Sequence, residues 1–109
     1  MQFSLSTIAF VAAMATNVSA GWYAFYNDPS YQLVVKDGNP KCSNECIHFT
    51  NVARSAKLYG SGGKFTSCSV YQSKDCSGNY ITLYSDKNKN ERAYQLTETA
   101  WSAKCYFNC

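Results

Sequence analysis

The vocabulary of catalysis is nearly missing from this chain. It has a single histidine, His48, and no G-x-S-x-G, H-E-x-x-H or phosphate-loop pattern, which excludes the common hydrolase and nucleotide-binding classes. No stretch repeats apolar residues at helical spacing over several turns, so a helical bundle is excluded as well. Lys and Arg are scattered rather than clustered, and a net charge of +3 lacks the dense basic patches of a nucleic-acid binder. Proline occurs only twice and both methionines fall in the first twenty residues, a segment without Lys, Arg, Asp, Glu or Cys. The only long apolar run, residues 8–15 (IAFVAAMA), is too short for the roughly 20 residues that span a bilayer.

That run, followed by Val18-Ser19-Ala20, has the form of a secretory signal with cleavage before Gly21. The expected organisation is a leader over residues 1–20 and one disulfide-stapled domain over residues 21–109, secreted and extracellular. No stable membrane anchoring is expected. The one glycosylation sequon, at Asn17, lies inside the leader, so the mature chain carries no N-linked glycan on this reading.

Six cysteines in so short a secreted chain point to disulfides rather than metal or thiol chemistry. With one histidine available, a zinc site is not expected, and no cofactor or catalytic residue is assigned. Cys42, Cys46, Cys68, Cys76, Cys105 and Cys109 form two C-x3-C pairs around a central C-x7-C pair. Residues four apart share a strand face, so the outer pairs are expected to join twice. The antiparallel option is Cys42–Cys109 with Cys46–Cys105, and the parallel one is Cys42–Cys105 with Cys46–Cys109. Cys68 and Cys76 would then close the second turn locally.

Period-two patterning between turn clusters predicts seven or eight short antiparallel strands, closed as a small β-barrel or stacked as a sandwich. A first hairpin joins residues 21–26 (GWYAFY) and 31–36 (YQLVVK) across Asn27-Asp28-Pro29-Ser30. A second joins residues 65–72 and 79–85 across Asp75-Cys76-Ser77-Gly78. Residues 45–50, 56–59, 93–96 and 101–107 supply the remaining segments, Gly60-Ser61-Gly62-Gly63 marks a tight reversal, and single helical turns are conceivable near Ser43 and at residues 97–100. No internal repeat is visible. His48, with Glu45, Glu91 or Glu98 as partner, is the one constellation suited to acid–base work, and a partly buried strand histidine is the expectation instead.

Two surfaces stand out as recognition candidates. Residues 86–92 are polar throughout and present Lys87, Lys89 and Arg92 on a long connection. Trp22 and Tyr26 belong to an aromatic-rich first hairpin whose rings either pack in the core or stack on sugars and membrane interfaces.

Residues 68–83, CSVYQSKDCSGNYITL, resemble a βγ-crystallin hairpin, with Tyr71 followed seven positions later by Gly78. Residues 51–55 echo part of that family's calcium signature but depart from it at Val52, and no calcium is expected. The whole chain resembles the small secreted cysteine-rich elicitors of plant-pathogenic fungi, through its length, its leader, the opening GWYAFYNDPSYQLVVKDG and the ending CYFNC. Hydrophobins are excluded by the lack of adjacent cysteines. The elicitor resemblance implies a non-enzymatic effector that triggers plant defence and hypersensitive cell death, acting as a monomer on an unidentified plant receptor or apoplastic protein. The alternative is an antimicrobial or membrane-active toxin, or a carbohydrate-binding module of βγ-crystallin-like build.

Overall fold

The computed structural model describes residues 21–86 and 91–107. These residues form six strands and no helix: β1 (Trp22–Tyr26), β2 (Val34–Gly38), β3 (Ile47–Tyr59), β4 (Thr66–Tyr71), β5 (Tyr80–Tyr84) and β6 (Glu91–Phe107). All pair antiparallel in one sheet of order β2-β1-β3-β6-β4-β5. The architecture is therefore all-β, as the patterning requires, but six-stranded and open rather than a closed barrel or a two-sheet sandwich of seven or eight strands. The count falls because residues 47–50 and 56–59 belong to one long β3, and residues 93–96 and 101–107 to one long β6.

What joins them is a pair of bulged stretches that bend the strands without ending them. Ala53 faces Ala100; on one side residues 49–52 of β3 oppose a single residue of β6, and on the other residues 96–99 of β6 oppose a single residue of β3. The polar sequences there, TNV and TET, look like strand breaks. They are places where the chain bows outward and the sheet turns. The inner face then wraps one core to which every strand contributes, including Phe25, Val35, Leu58, Val70, Leu83 and Ala103. Although β2 and β5 do not meet, the β5 edge is partly sealed: the Tyr94 hydroxyl donates to the Tyr84 carbonyl at 2.7 Å and accepts from the Tyr84 amide at 3.2 Å.

The sheet is a two-fold arrangement of hairpin-plus-long-strand units, an internal repeat that the sequence does not display. The β1–β2 hairpin flanks β3 and the β4–β5 hairpin flanks β6. Tyr26 pairs with Ser55, and Tyr71 pairs with Ser102. Both serines are fully buried, and each hydroxyl donates at 2.6 Å to the carbonyl two residues beyond its tyrosine, Asp28 in the first unit and Ser73 in the second. Five residues beyond each tyrosine the backbone enters the left-handed region, at Tyr31 (φ 60°) and Cys76 (φ 57°). Each hairpin loop is thus folded back over the outer face of the sheet.

The connection at 60–63 is the expected tight reversal. Ser61 and Lys64 exchange both backbone hydrogen bonds at 2.9 Å, with positive φ at Gly62 and Gly63, as a two-residue type I′ turn demands. The disulfides differ from the sequence-based pairing. Cys46 joins Cys76 and Cys68 joins Cys105, whereas a local Cys68–Cys76 ring was expected together with Cys46–Cys105 in the antiparallel option or Cys42–Cys105 and Cys46–Cys109 in the parallel one. Register gives the reason: Cys68 and Cys105 are direct partners across β4 and β6, and the folded-back loop carries Cys76 over the start of β3. Cys42 is also disulfide-bonded, and the antiparallel option that joins it to Cys109 lies outside the described residues. Each observed bridge closes a long loop, worth about 4 kcal/mol on chain-entropy grounds against about 2.6 for a nine-residue ring, and the two are not additive.

Peptide mapping of the unreduced protein is expected to recover Cys46 linked to Cys76 and Cys68 linked to Cys105. A Cys68–Cys76 peptide would contradict the topology.

Candidate functional site

The fold sorts the residues proposed for recognition by face. Lys87 and Lys89 lie outside the described residues. Arg92 is exposed at the start of β6, its guanidinium 5.5 Å from the centre of the Tyr94 ring. Trp22 is half-buried and packs on Tyr59 at 5.0 Å between ring centres. Tyr26, only 7 % exposed, is a packing residue rather than a contact residue. Tyr23 and Phe25 are buried on the inner face, so most of the first hairpin's rings build the core.

Register nevertheless brings Arg92 and Trp22 to one end of the sheet. Trp22 faces Tyr59, Tyr59 faces Glu91, and Arg92 follows directly. On the same outer face Lys57 makes an ion pair with Glu91 at 3.1 Å and sits 5.0 Å over the Tyr31 ring. The Gln95 amide donates to the Pro29 carbonyl at 2.7 Å and to the Tyr31 hydroxyl at 3.0 Å. The hydrogen bond to Glu91 raises the Lys57 pKa, so the ammonium is fully charged at neutral pH. The result is an outer platform of Trp22, Tyr59, Tyr31 and Lys57, while Arg92, opposite Leu58 and stacked on Tyr94, projects from the other face at the same end of the sheet. Sequence reading missed Tyr31, Lys57, Tyr59 and Gln95, since only the register of β1, β3 and β6 assembles them.

Exposed aromatic surface is instead concentrated on β5 and the connection before β4. Tyr80 is 58 % exposed, Tyr84 46 % and Phe65 42 %, with Phe65 and Tyr84 packed edge to face at 5.6 Å.

His48 is exposed on β3 rather than partly buried. Its Nδ1 lies 2.8 Å from the Lys74 carbonyl, an acceptor, so that nitrogen carries the proton and helps to hold the second hairpin loop down. The proposed acidic partners disperse: Glu91 serves Lys57, Glu98 accepts from Gln72, and Glu45 shares with His48 the wall of a 340 Å³ groove. Among the described residues no three His, Cys, Asp or Glu side chains cluster to hold a metal ion.

Both hairpin loops are organised by an aspartate. The Asp28 carboxylate accepts from the amides of Leu33 (2.9 Å), Gln32 (3.0 Å) and Ser30 (3.3 Å), and Asp75 accepts from the Ser77 hydroxyl at 2.6 Å. The Leu33 amide chiefly lowers the Asp28 pKa below its ordinary 3.8, and the Ser77 hydroxyl does the same for Asp75. These loops carry Tyr31 and Cys76 over the sheet, so the outer platform inherits its shape from them.

Comparison with protein-family models, with curated proteins and with solved structures finds no match for the chain.

A carboxylate with a depressed folded pKa contributes stability above its unfolded pKa and loses it as pH falls through the folded value. Both loops should therefore loosen below about pH 3.8, ahead of any core change, when thermal unfolding is followed from about pH 6 to about pH 2. Asp28→Asn should weaken the acid dependence. An unchanged profile in that variant would remove Asp28 from the account.

Proposed function

We propose that this chain is a secreted, non-enzymatic elicitor that presents a rigid surface to an extracellular plant receptor or apoplastic protein. The observation that carries the proposal is the outer platform itself, in which three aromatic residues, Trp22, Tyr59 and Tyr31, and a paired lysine are held by register and by folded-back loops. Trp, Tyr and Arg are the side chains that most often anchor protein interfaces, because they combine area with directed polar contacts. The secretory leader and the disulfide framework support release into an oxidising space rich in proteases. The plant target follows from the elicitor resemblance.

A second reading has an observation of its own in the exposed Tyr80, Tyr84 and Phe65. Rings of that kind insert at membrane interfaces, and a net positive chain is drawn to anionic lipid. Dye release from anionic vesicles favours this membrane-active reading, and intact vesicles at micromolar protein dispose of it.

Infiltration of the purified, disulfide-intact secreted protein into leaves tests the main proposal. Local cell death and defence-gene activation at micromolar dose are expected, and a silent leaf contradicts the elicitor reading. Lys57→Ser is expected to reduce potency by about tenfold, within the range of an interface anchor, while thermal stability changes by no more than about 1 kcal/mol, as for an exposed ion pair. Parental potency in that variant moves the recognised surface away from this end of the sheet.

A further inference from the structure

On the inner side of the sheet, opposite the outer platform, the 340 Å³ groove opens between β2, the connection at residues 39–46 and the start of β3. Its size falls at the lower end of small-molecule sites, and its place at the open mouth of a wrapped sheet is where β folds commonly hold ligands. Tyr23 forms part of the wall. It is 5 % exposed, yet its hydroxyl has no hydrogen-bond partner among the described residues. A buried phenol of this kind ordinarily finds an acceptor or donor, so an unpaired one lining a groove marks a place where a ligand or solvent completes the pairing. Gly38 faces Tyr23 across the β1–β2 pair, and a Cβ there would come within 3.1 Å of the hydroxyl. The glycine keeps that side of the phenol uncrowded.

The charges around the groove identify the class of occupant. Lys36, Lys41 and Glu45 line it, and Asp37 and Glu45 both act on Tyr23, adding to the burial that raises its pKa. Two ammonium groups and one carboxylate therefore line the groove, with the Asp37 carboxylate near enough to act on the phenol from outside the lining. Any occupant meets charges of both signs, and a neutral molecule rich in hydroxyls can donate to Glu45 and accept from the lysines. His48 also borders the groove, with its Nδ1 committed to the Lys74 carbonyl. Ile47 and Pro40 supply apolar surface for the carbon–hydrogen face of a ring.

We propose that this groove binds a neutral saccharide, with the Tyr23 hydroxyl as its buried hydrogen-bonding group and Glu45 and Lys36 as partners at the rim. The site is separate from the Trp22–Lys57 platform and from β5. It stands or falls independently of the elicitor reading, because its test needs no plant tissue.

The test is an amide-resolved NMR titration of the secreted protein with cellobiose, maltose and N,N′-diacetylchitobiose, with digalacturonate as the charged comparison. At least one neutral disaccharide is expected to shift the signals of Tyr23 and of residues 36–48 with a Kd of about 1 mM or tighter. Tyr23→Phe keeps the ring and deletes only the hydroxyl, and should weaken that binding about fivefold or more. Glu45→Gln, at an exposed position, should weaken it as well, and Lys57→Ala on the outer face should not. The proposal is overturned if no neutral disaccharide moves these signals at concentrations well above about 1 mM, if digalacturonate binds more tightly than all three, or if both Tyr23→Phe and Glu45→Gln bind as the parent does.

Discussion

Two buried serine hydroxyls hold this fold in shape. Ser55 and Ser102 sit in the outer face of the central strands β3 and β6, without solvent, and each satisfies itself by bonding a carbonyl in the hairpin loop next to it. A buried hydroxyl left unpaired costs about 1–3 kcal/mol, so the loop is drawn down by the same penalty that an upright loop would leave outstanding. Neighbouring side chains repeat the device. Asn27, one residue past Tyr26, donates to the Val52 carbonyl in the β3 bulge, and Gln72, one residue past Tyr71, donates to Glu98 in the β6 bulge. Tethers and bulges are therefore one construction, used twice about the Ala53–Ala100 pair.

From that construction both faces acquire their character. Folding the first loop over β3 brings Tyr31 against Lys57 and Gln95, which completes an aromatic and cationic platform that β1 and β3 alone would leave flat. Folding the second loop over β6 places the Cys76 amide on Ser102 at 2.9 Å and its sulfur within bonding distance of Cys46. The inner face, freed of loops, wraps the core and stays open beside β2, where Tyr23 and the mixed charges line the groove. A disulfide reinforces the second tether but not the first. The first loop depends instead on the Asp28 carboxylate and its three backbone amides, which makes it the more acid-sensitive of the two.

Local signals in the chain were enough to place the second hairpin, the 60–63 reversal and the all-β class, because turn composition and period-two alternation act over a few residues, whereas the second strand of the first hairpin, expected at residues 31–36, runs from Val34 to Gly38 with Tyr31 in the loop. The long-range features were not legible. Thr50-Asn51-Val52 and Thr97-Glu98-Thr99 read as breaks, since a bulge and a loop have the same polar composition, and only pairing with the opposite strand distinguishes them. The repeat escaped notice because it is carried by a tyrosine, a serine and a backbone conformation, with different residues (Tyr31 and Cys76) at the matching left-handed position. The matched C-x3-C spacing misled for a related reason: spacing says which cysteines share a strand face, and strand order decides which faces meet. Arg92 and Trp22 could be named separately from sequence, but their proximity, and the roles of Lys57 and Tyr59, appear only once the register is known. That the Tyr23 hydroxyl has no hydrogen-bond partner among the described residues leaves no trace in the sequence, where it is one ring among many.

Removing each serine tether separately, and following both global stability and amide exchange in the loops, tests the account most directly. Ser55→Ala and Ser102→Ala are each expected to lower unfolding free energy by about 1–3 kcal/mol, with exchange protection lost first in residues 27–33 for one and residues 72–79 for the other. The Cys46–Cys76 bridge should make the second loss the smaller. If both variants unfold within about 0.5 kcal/mol of the parent, as neutral surface changes do, and both loops keep their protection, the serines are incidental and the folded-back loops are held by something else.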